Sequence, residues 1–388
     1  MNPVVLMRQI PCVLAALTAT VTFAVTPAPS FKTWVSRLEA KGTNVSAGLW
    51  DLASGKLLEG HGTSVALVPA STTKVVSTYA LLKTWKPSFA LETEVWGDLR
   101  NGTVSGDLVF KGGGDPFFAK ERIWLLIQDL KARGVLRVAG KVRLDQSAFD
   151  GQLYGNGWEN TSSDTTPPIL PLSVNFNRDE NGRILRTPER YAVEYLTRML
   201  RESGITVEGG PDAPGPSAVI ATLASPPLRQ LVQDINKFSN NFMVEMLLKR
   251  FGEGSWAKGI ERIQGFYKSV LELEPETIAI TDGSGLSKNN RLSARTLAII
   301  LRAAWNDFEV GPEFVDSLKI IGGEPWKLRV QDPNLSRRIR CKTGHLSGVD
   351  SVCGYLQTPE GKLRVFVILL NGQSKADDLW EMVSRWAN

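Results

Sequence analysis

The sequence predicts an α/β chain of the α+β kind: an antiparallel sheet flanked by helices, with a second α/β domain inserted into it. Three observations carry that prediction. Three runs close the chain, Arg338 to Thr343, Ser351 to Gln357 and Leu363 to Leu370, rich in β-branched and apolar residues and spaced as consecutive strands. Both ends of the sequence after residue 30 carry helical periodicity: Phe31, Trp34, Val35 and Leu38, then Leu379, Met382, Val383 and Trp386, each fall at i, i+3, i+4 and i+7. Two such helices are expected to pack together on one face of the sheet. Between about Ser88 and Ser217 the texture changes to short alternating runs broken by Gly- and Pro-rich turns, as an insertion would read.

In chain order, Arg8 precedes an apolar run, Ile10 to Val25, with small residues such as Ala19 and Ala24 towards its end. The run is short for a membrane span, and its charge comes first, so residues 1–24 read as a cleaved secretory signal; an uncleaved anchor is the rival. The first helix ends near Gly42, and strands Asn44 to Trp50 and Lys56 to Glu59 join through a Ser54-Gly55 turn. A buried helix follows from Pro69 and stops before Pro87. Residues 88–218 form the expected insert, with helices Lys120 to Arg133 and Pro188 to Ser203 and an exit linker at Pro211 to Pro216. Residues 30–87 and 219–388 make the main domain, continuing through helices at Pro227 to Ile235 and Ala294 to Trp305 and ending at Ala376 to Trp386.

Composition bounds the function. A chain of 388 residues has room for more than one core, and 43% apolar with 22% charged residues is ordinary for a folded soluble protein. The formal charge of +5 suits a polyanionic neighbourhood such as a cell wall or a membrane surface in peripheral association, and equally an inert surface balance. No basic run with interleaved aromatics appears, which argues against nucleic acid. Export would put Cys341 and Cys353 in an oxidising compartment; they lie symmetrically about Ser347, as partners across a hairpin would, so a disulfide or a cross-strand thiol pair is one expectation and two small buried residues the other.

The chemistry gathers at Ser71-Thr72-Thr73-Lys74. Residues i and i+3 share a helix face, so the Ser71 hydroxyl and the Lys74 amine stand side by side, a nucleophile beside a base. A lone S-x-x-K is weak, and Ser255/Lys258 repeats it in a Gly-rich stretch without a buried helix behind it. The company decides. Ser239-x-Asn241 heads an apolar helix, unlike the S-x-N copies at Ser173 and Ser287, and Lys342-Thr343-Gly344 is the one K-T-G, ending an edge strand. S-x-x-K, S-x-N and K-T-G in that order form a serine acyl-transferase signature. With two histidines, His61 and His345, no G-x-S-x-G and no H-E-x-x-H, a Ser-His-Asp triad or a zinc hydrolase has little to stand on. No metal and no cofactor is called for, and Gly112-Gly113-Gly114-Asp115-Pro116 lacks the Gly-Lys-Ser/Thr of a phosphate loop.

On these motifs the chain resembles the low-molecular-mass class C penicillin-binding proteins, the D-alanyl-D-alanine carboxypeptidase/endopeptidase type, from about Phe31 onwards. Asp282-Gly-Ser-Gly-Leu-Ser287, Arg291-Leu-Ser-Ala-Arg295, Leu144-Asp145-Gln-Ser-Ala-Phe149 and Ser225-Pro-Pro-Leu228 strengthen the likeness. The resemblance implies a penicillin-binding/β-lactamase-like transpeptidase fold and a periplasmic enzyme acting on peptidoglycan stem peptides and crosslinks, acylated by β-lactams. It implies Ser71 as nucleophile and Lys74 as base, neutral through burial and the nearby Lys342 cation. Ser239 would relay the proton, and Asn241 would hold a substrate amide and position Lys74. Lys342 and Thr343 would receive the terminal carboxylate, and the backbone N–H groups of Ser71 and His345, next to Gly344, would form the oxyanion hole. Asp145 would meet the free amino group of diaminopimelate, or else be a surface carboxylate. Lys288 stands where relatives often carry arginine. Two other readings stay open: a β-lactamase-like hydrolase, and a non-catalytic peptidoglycan-binding scaffold on the same fold.

Overall fold

A computed structural model describes residues 29–158, 166–211, 215–322 and 335–388; the expected leader lies outside the described residues. In the first part of the chain run α1 (Phe31–Glu39), β1 (Asn44–Asp51), β2 (Leu57–His61), β3 (Ala66–Leu67) and α2 (Thr73–Trp85). Next come β4 (Glu92–Trp96), β5 (Leu99–Arg100), β6 (Thr103–Val104), β7 (Leu108–Lys111), α3 (Lys120–Ala132), β8 (Arg137–Val138), β9 (Val142–Asp145), α4 (Pro188–Glu202), β10 (Thr206–Val207) and β11 (Val219–Ala224). The chain ends with α5 (Leu228–Phe238), α6 (Asn241–Phe251), α7 (Trp256–Leu271), β12 (Leu292–Ser293), α8 (Ala294–Asn306), α9 (Gly311–Ser317), β13 (Lys319–Ile320), β14 (Ile339–Leu346), β15 (Val349–Gln357), β16 (Leu363–Asn371) and α10 (Ala376–Ala387).

The main sheet has the order β13-β14-β15-β16-β1-β2 and is antiparallel throughout. Both of its faces are covered, which is why β15 and β16 read as almost unbroken apolar runs rather than alternating ones. On one face α1 and α10 pack as the periodicity predicts: Trp34, Leu38, Met382, Val383 and Trp386 close over Val352, Phe366 and Ile368. The Trp34 indole N–H donates to the Asp378 carbonyl at 2.9 Å, and Arg37 pairs with Asp378 at 3.3 Å. The other face carries the largest core, where Val75, Tyr79 and Leu82 of α2 meet Val244, Leu247 and Leu248 of α6, Ile300 and Leu301 of α8, and Val365, Val367 and Leu369.

Residues 92–224 build a separate core from two four-stranded sheets, β10-β8-β6-β5 and β11-β4-β7-β9, with α3 and α4. Val95, Phe110, Ile127, Leu196 and Leu200 fill it. β11 lies beyond residue 218, where the sequence ends the insert, yet it pairs antiparallel with β4 over Val219 to Ala224.

Two sequence expectations fail here. Cys341 and Cys353 form no disulfide. The β14–β15 hairpin turns on Ser347-Gly348, with Leu346 opposite Val349, so its centre falls between two residues rather than on Ser347. Cys341 therefore opposes Gly354 and Lys342 opposes Cys353, and the thiols point to opposite faces, one into the α1/α10 core and one into the α2 core. Second, a buried helix does stand behind Ser255: α7 runs 16 residues with Trp256, Ile263 and Tyr267 buried. Its glycines at 259 and 265 mask the period in the sequence.

Trp34 is fully buried at the α1–α10 seam. Trp34→Ala should lower stability by about 3–5 kcal/mol, read as an earlier urea midpoint by far-UV circular dichroism.

Candidate active site

Ser71 stands on a turn that the surrounding structure holds tightly. β3, pinned by β12, delivers the chain to Pro69, and a 3₁₀ turn over Ala70–Thr72 leads into α2. Ala70 has φ 48°, a left-handed conformation that costs a non-glycine residue of order 1 kcal/mol. The strain is over-determined by contacts: Ser351 Oγ and Thr72 Oγ1 both donate to the Pro69 carbonyl, at 2.6 and 2.7 Å, and Thr73 Oγ1 donates to the Ala70 carbonyl at 2.9 Å. Two glycines make room for this turn. A Cβ on Gly285 (φ 81°) would lie 1.7 Å from the Ala70 carbonyl oxygen, and one on Gly344 would lie 2.7 Å from the Ser71 nitrogen.

The three motifs converge on Ser71. Lys74, in the first turn of α2 and fully buried, has its amine 2.9 Å from Ser71 Oγ, 2.7 Å from Asn241 Oδ1 and 2.8 Å from the Ser284 carbonyl. Burial brings its pKa down to about 7, against the opposing pull of Glu245 and Asp282. Ser239 ends α5 in the left-handed conformation (φ 58°), and Asn240 caps α6 by accepting from Met243 N, which sets Asn241 facing Lys74. The Lys342 amine donates to Ser239 Oγ at 2.9 Å and to the Thr343 carbonyl at 2.7 Å. Burial first, then the Lys74 cation, pushes Lys342 well below the usual lysine range. The repulsion expected to neutralise Lys74 is thus expressed at Lys342, while Lys74 is governed by burial.

β13 pairs only with Arg340 and Cys341, so the outer edge of β14 from Lys342 onward meets the Ser71 turn. A cleft of about 390 Å³ opens there, lined by Ser71, Ser239, Thr343, Gly344 and His345 together with Trp380 of α10. Asp145 does not line it. Asp145 ends β9 opposite Lys111, and its carboxylate accepts from Ser147 N at 2.9 Å. Lys288 donates to the Ser347 carbonyl at 2.9 Å, tying its loop to the β14–β15 turn. The decoy Ser255 precedes α7 at the N-cap position without a side-chain capping bond, and Lys258 extends to Glu253 at 3.7 Å, away from the cleft. Among the described residues no cluster of three His, Cys, Asp or Glu side chains could hold a metal ion.

Comparison with known proteins gives the family and the fold. The model of the D-Ala-D-Ala carboxypeptidase 3 (S13) family matches residues 35–185 and 170–386. The chain belongs to that family. A carboxypeptidase of Mycobacterium tuberculosis is 28% identical to this S13 chain over 361 residues, covering 83% of it and 75% of its own length. Penicillin binding protein 4 (dacB) from Haemophilus influenzae shares the fold, with a TM-score of 0.76 at 20% identity over 88% of this chain and 94% of that one. A predatory peptidoglycan endopeptidase from Bdellovibrio bacteriovorus does so at 0.59 and 15%, over 89% and 90%. The fold is the penicillin-binding one that the three motifs imply.

Beyond the motifs, the S13 site depends on a carboxylate that the sequence reading passed over. Glu245 of α6, fully buried, accepts from Ser284 N at 2.6 Å, Gly283 N at 3.2 Å and the Trp256 indole N–H at 2.8 Å. It thereby holds the turn whose Ser284 carbonyl faces Lys74. Burial, then Asp282, pushes its own pKa up to about 7. Asp282 closes the turn by accepting from Gly285 N at 2.8 Å and Ser287 N at 2.7 Å, and takes the Trp158 indole N–H at 2.9 Å. A signal for Glu245 existed: it is the one charge in the otherwise apolar run Phe242 to Leu248.

The Gly285 contact is checkable against a neutral glycine. Gly285→Ala should cost about 1–3 kcal/mol, because both its φ and its space forbid a side chain. Gly265→Ala, inside α7 with nothing within 4 Å of the added carbon, should instead stabilise by about 0.5–1 kcal/mol. Urea denaturation of the two variants reads both signs.

Proposed function

We propose that this S13-family chain is an exported, metal-free serine DD-peptidase of the periplasm. It removes the terminal residue of D-Ala-D-Ala stem peptides and cuts D-Ala–meso-diaminopimelate crosslinks through an acyl-enzyme on Ser71. The observation that carries the reading is the Ser71–Lys74 pair: a hydroxyl 2.9 Å from a fully buried amine whose pKa is brought down to about 7. The amine's other two partners, Asn241 Oδ1 and the Ser284 carbonyl, are acceptors only. A neutral amine satisfies both with its two N–H bonds and turns its lone pair to the Ser71 hydroxyl, the arrangement a general base needs.

The steps follow from those positions. Lys74 takes the Ser71 proton as Oγ attacks the penultimate D-alanine carbonyl, and the Ser71 and His345 backbone N–H groups stabilise the oxyanion. Ser239, held by Lys342, relays onward to the leaving amine the proton that Lys74 took, as the C–N bond breaks, which returns both Lys74 and Ser239 to their starting protonation. Thr343, at the cleft, receives the terminal carboxylate, while Lys342 on the opposite face of β14 holds Ser239. Water then enters, with Lys74 again as base, and releases the shortened peptide. Endopeptidase action draws support from the Bdellovibrio neighbour named for it. Acylation by β-lactams draws support from a structure of the Haemophilus protein complexed with a β-lactam. Asp145, outside the cleft, has no step in this scheme.

Intact-protein mass after brief exposure to benzylpenicillin should give a persistent adduct on the wild type and none on Ser71→Ala. No adduct with intact drug would favour a non-catalytic peptidoglycan-binding scaffold; rapid loss of drug would favour a β-lactamase-like hydrolase. Hydrolysis of a purified crosslinked muropeptide dimer, followed by chromatography, tests the endopeptidase arm.

The pH dependence has a definite sign. Lys74 must be neutral to act, so the acylation rate should rise with pH through about 7 and level off above it. Lys74→Ala should slow acylation by about 10²–10⁴ and abolish that rise. Stopped-flow acylation with a chromogenic cephalosporin measures both.

A further inference from the structure

His345 follows the K-T-G motif directly, and its ring has a defined place. Side chains alternate along β14, so Thr343 and His345 share a face while Lys342 points to the other. Both line the cleft that holds Ser71. Asp350 lies opposite His345 across the β14–β15 ladder, and its Oδ1 is 2.8 Å from His345 Nδ1. The Asp350 side chain is 6% exposed and its other oxygen accepts from Ser374 Oγ at 2.8 Å, whereas the His345 side chain is 78% exposed. A buried, doubly bonded carboxylate thus fixes an imidazole whose remaining nitrogen is free to face the cleft.

The chemistry of that nitrogen depends on protonation. Asp350 takes the Nδ1–H, so in the neutral ring Nε2 is a lone pair, which repels an anion. Once protonated, the ring offers an Nε2–H and a positive charge beside Thr343. The charged groups around it include Lys288, whose amine is held by the Ser347 carbonyl of the adjoining turn at 2.9 Å. Asp350 bonds it; Lys342 is turned to the opposite face and held by Ser239. Lys74 is buried behind Ser71. Lys375, Asp377 and Asp378 head α10, where Asp378 caps Lys375 N and pairs with Arg37.

We propose that His345, oriented by Asp350, is a pH-dependent clamp for the carboxylate of the ligand: its imidazolium binds the anionic terminus next to Thr343, and its neutral form does not. The clamp rests on the acyl-transfer reading of the cleft and makes binding tighten as pH falls, against the acylation step, which needs neutral Lys74. The peptidase would therefore hold product carboxylates more firmly in acid and release them as pH rises.

The chain has two histidines, so their ring C–H resonances are resolvable by NMR, and His345→Gln assigns them. Ser71→Ala protein, which cannot turn over, is titrated from pH 5 to 8.5 with and without saturating diacetyl-L-Lys-D-Ala-D-Ala. The ligand should raise the His345 midpoint by about one unit, equal to about tenfold tighter binding to the protonated ring, and leave His61 unmoved. An unmoved His345 midpoint overturns the proposal. In wild type, the ratio of acylation rates for benzylpenicillin and its methyl ester cancels the Lys74 requirement, since both need the same base. That ratio should fall severalfold from pH 5.5 to 8.5 and be flat in His345→Gln; an equal fall in the variant also overturns the clamp. Failure of benzylpenicillin to acylate wild type would instead remove the acyl-transfer reading, while the NMR midpoint still decides whether His345 binds an anion.

Discussion

Everything in the catalytic half of the fold serves one costly constraint: a lysine amine buried without a carboxylate in direct contact. A buried ammonium is expensive to strip of water, by several kcal/mol even after relaxation. Around Lys74 the cost is met by geometry rather than by ion pairing. Three different elements each contribute one polar atom: Ser71 from the 3₁₀ turn, Asn241 from α6 and Ser284 from the loop before β12. Glu245 and Asp282 stand one layer further out, bonded to backbone N–H groups of that loop and not to the amine itself. Their charge reaches Lys74 only through space, so it moderates the effect of burial without a direct ion pair to the amine.

The same logic separates the two lysines. Lys342 is as buried as Lys74, and its acceptors are Ser239 Oγ and its neighbour's carbonyl. Two amines in one buried volume cannot both stay charged without repulsion. Ser239 sits against the second as Ser71 sits against the first, which leaves each of the two hydroxyls with its own amine. The tight approach of β14 to the Ser71 turn depends on Gly344, because any side chain there would collide with Ser71 N and Ser351 Oγ.

What the sequence made legible was chemistry with a fixed local spacing. S-x-x-K, S-x-N and K-T-G could be placed on their elements because each needs only three or four residues and a helix or strand around it. The helices α1 and α10 were legible through their period, since one face of each is buried and the other wet. Contributions that depend on packing from afar were not. Glu245 acts through backbone groups of residues 283 and 284, and nothing local to α6 announces that partnership. The hairpin register at Cys341 and Cys353 turned on a half-residue in the position of the turn, which a symmetric spacing cannot resolve. The α7 period was blurred by two glycines that tolerate helix only because tertiary packing supplies what propensity lacks; Gly259 lies so close to Leu248 that a Cβ would be 2.4 Å from its carbonyl oxygen.

The inserted core raises a different question: how can more than a hundred residues separate Ser71 from Ser239 without loosening a site that needs both? The answer lies at the two points where the chain leaves and returns. Leu91 N donates to Ser225 Oγ at 2.9 Å, Ser225 N donates to the Leu91 carbonyl at 2.6 Å, and Leu228 N and Arg229 N donate to the Phe89 and Pro87 carbonyls at 2.8 and 3.0 Å. The exit from α2 and the entry to α5 are thereby stapled side by side, so the main body folds as though a short loop joined them. The entropy of closing a loop grows only as the logarithm of its length, and a segment that fills its own core bears most of its ordering cost itself. The insert then touches the site at a chosen place, the Trp158 indole on Asp282, where it bonds the turn that faces Lys74. An insertion tied at its base, by Lys249 to Asp150 and the Gln152 carbonyl, and by Trp158 to Asp282 is held against the main body, while the Ser71–Lys74 geometry is left to the helices and sheet that set it.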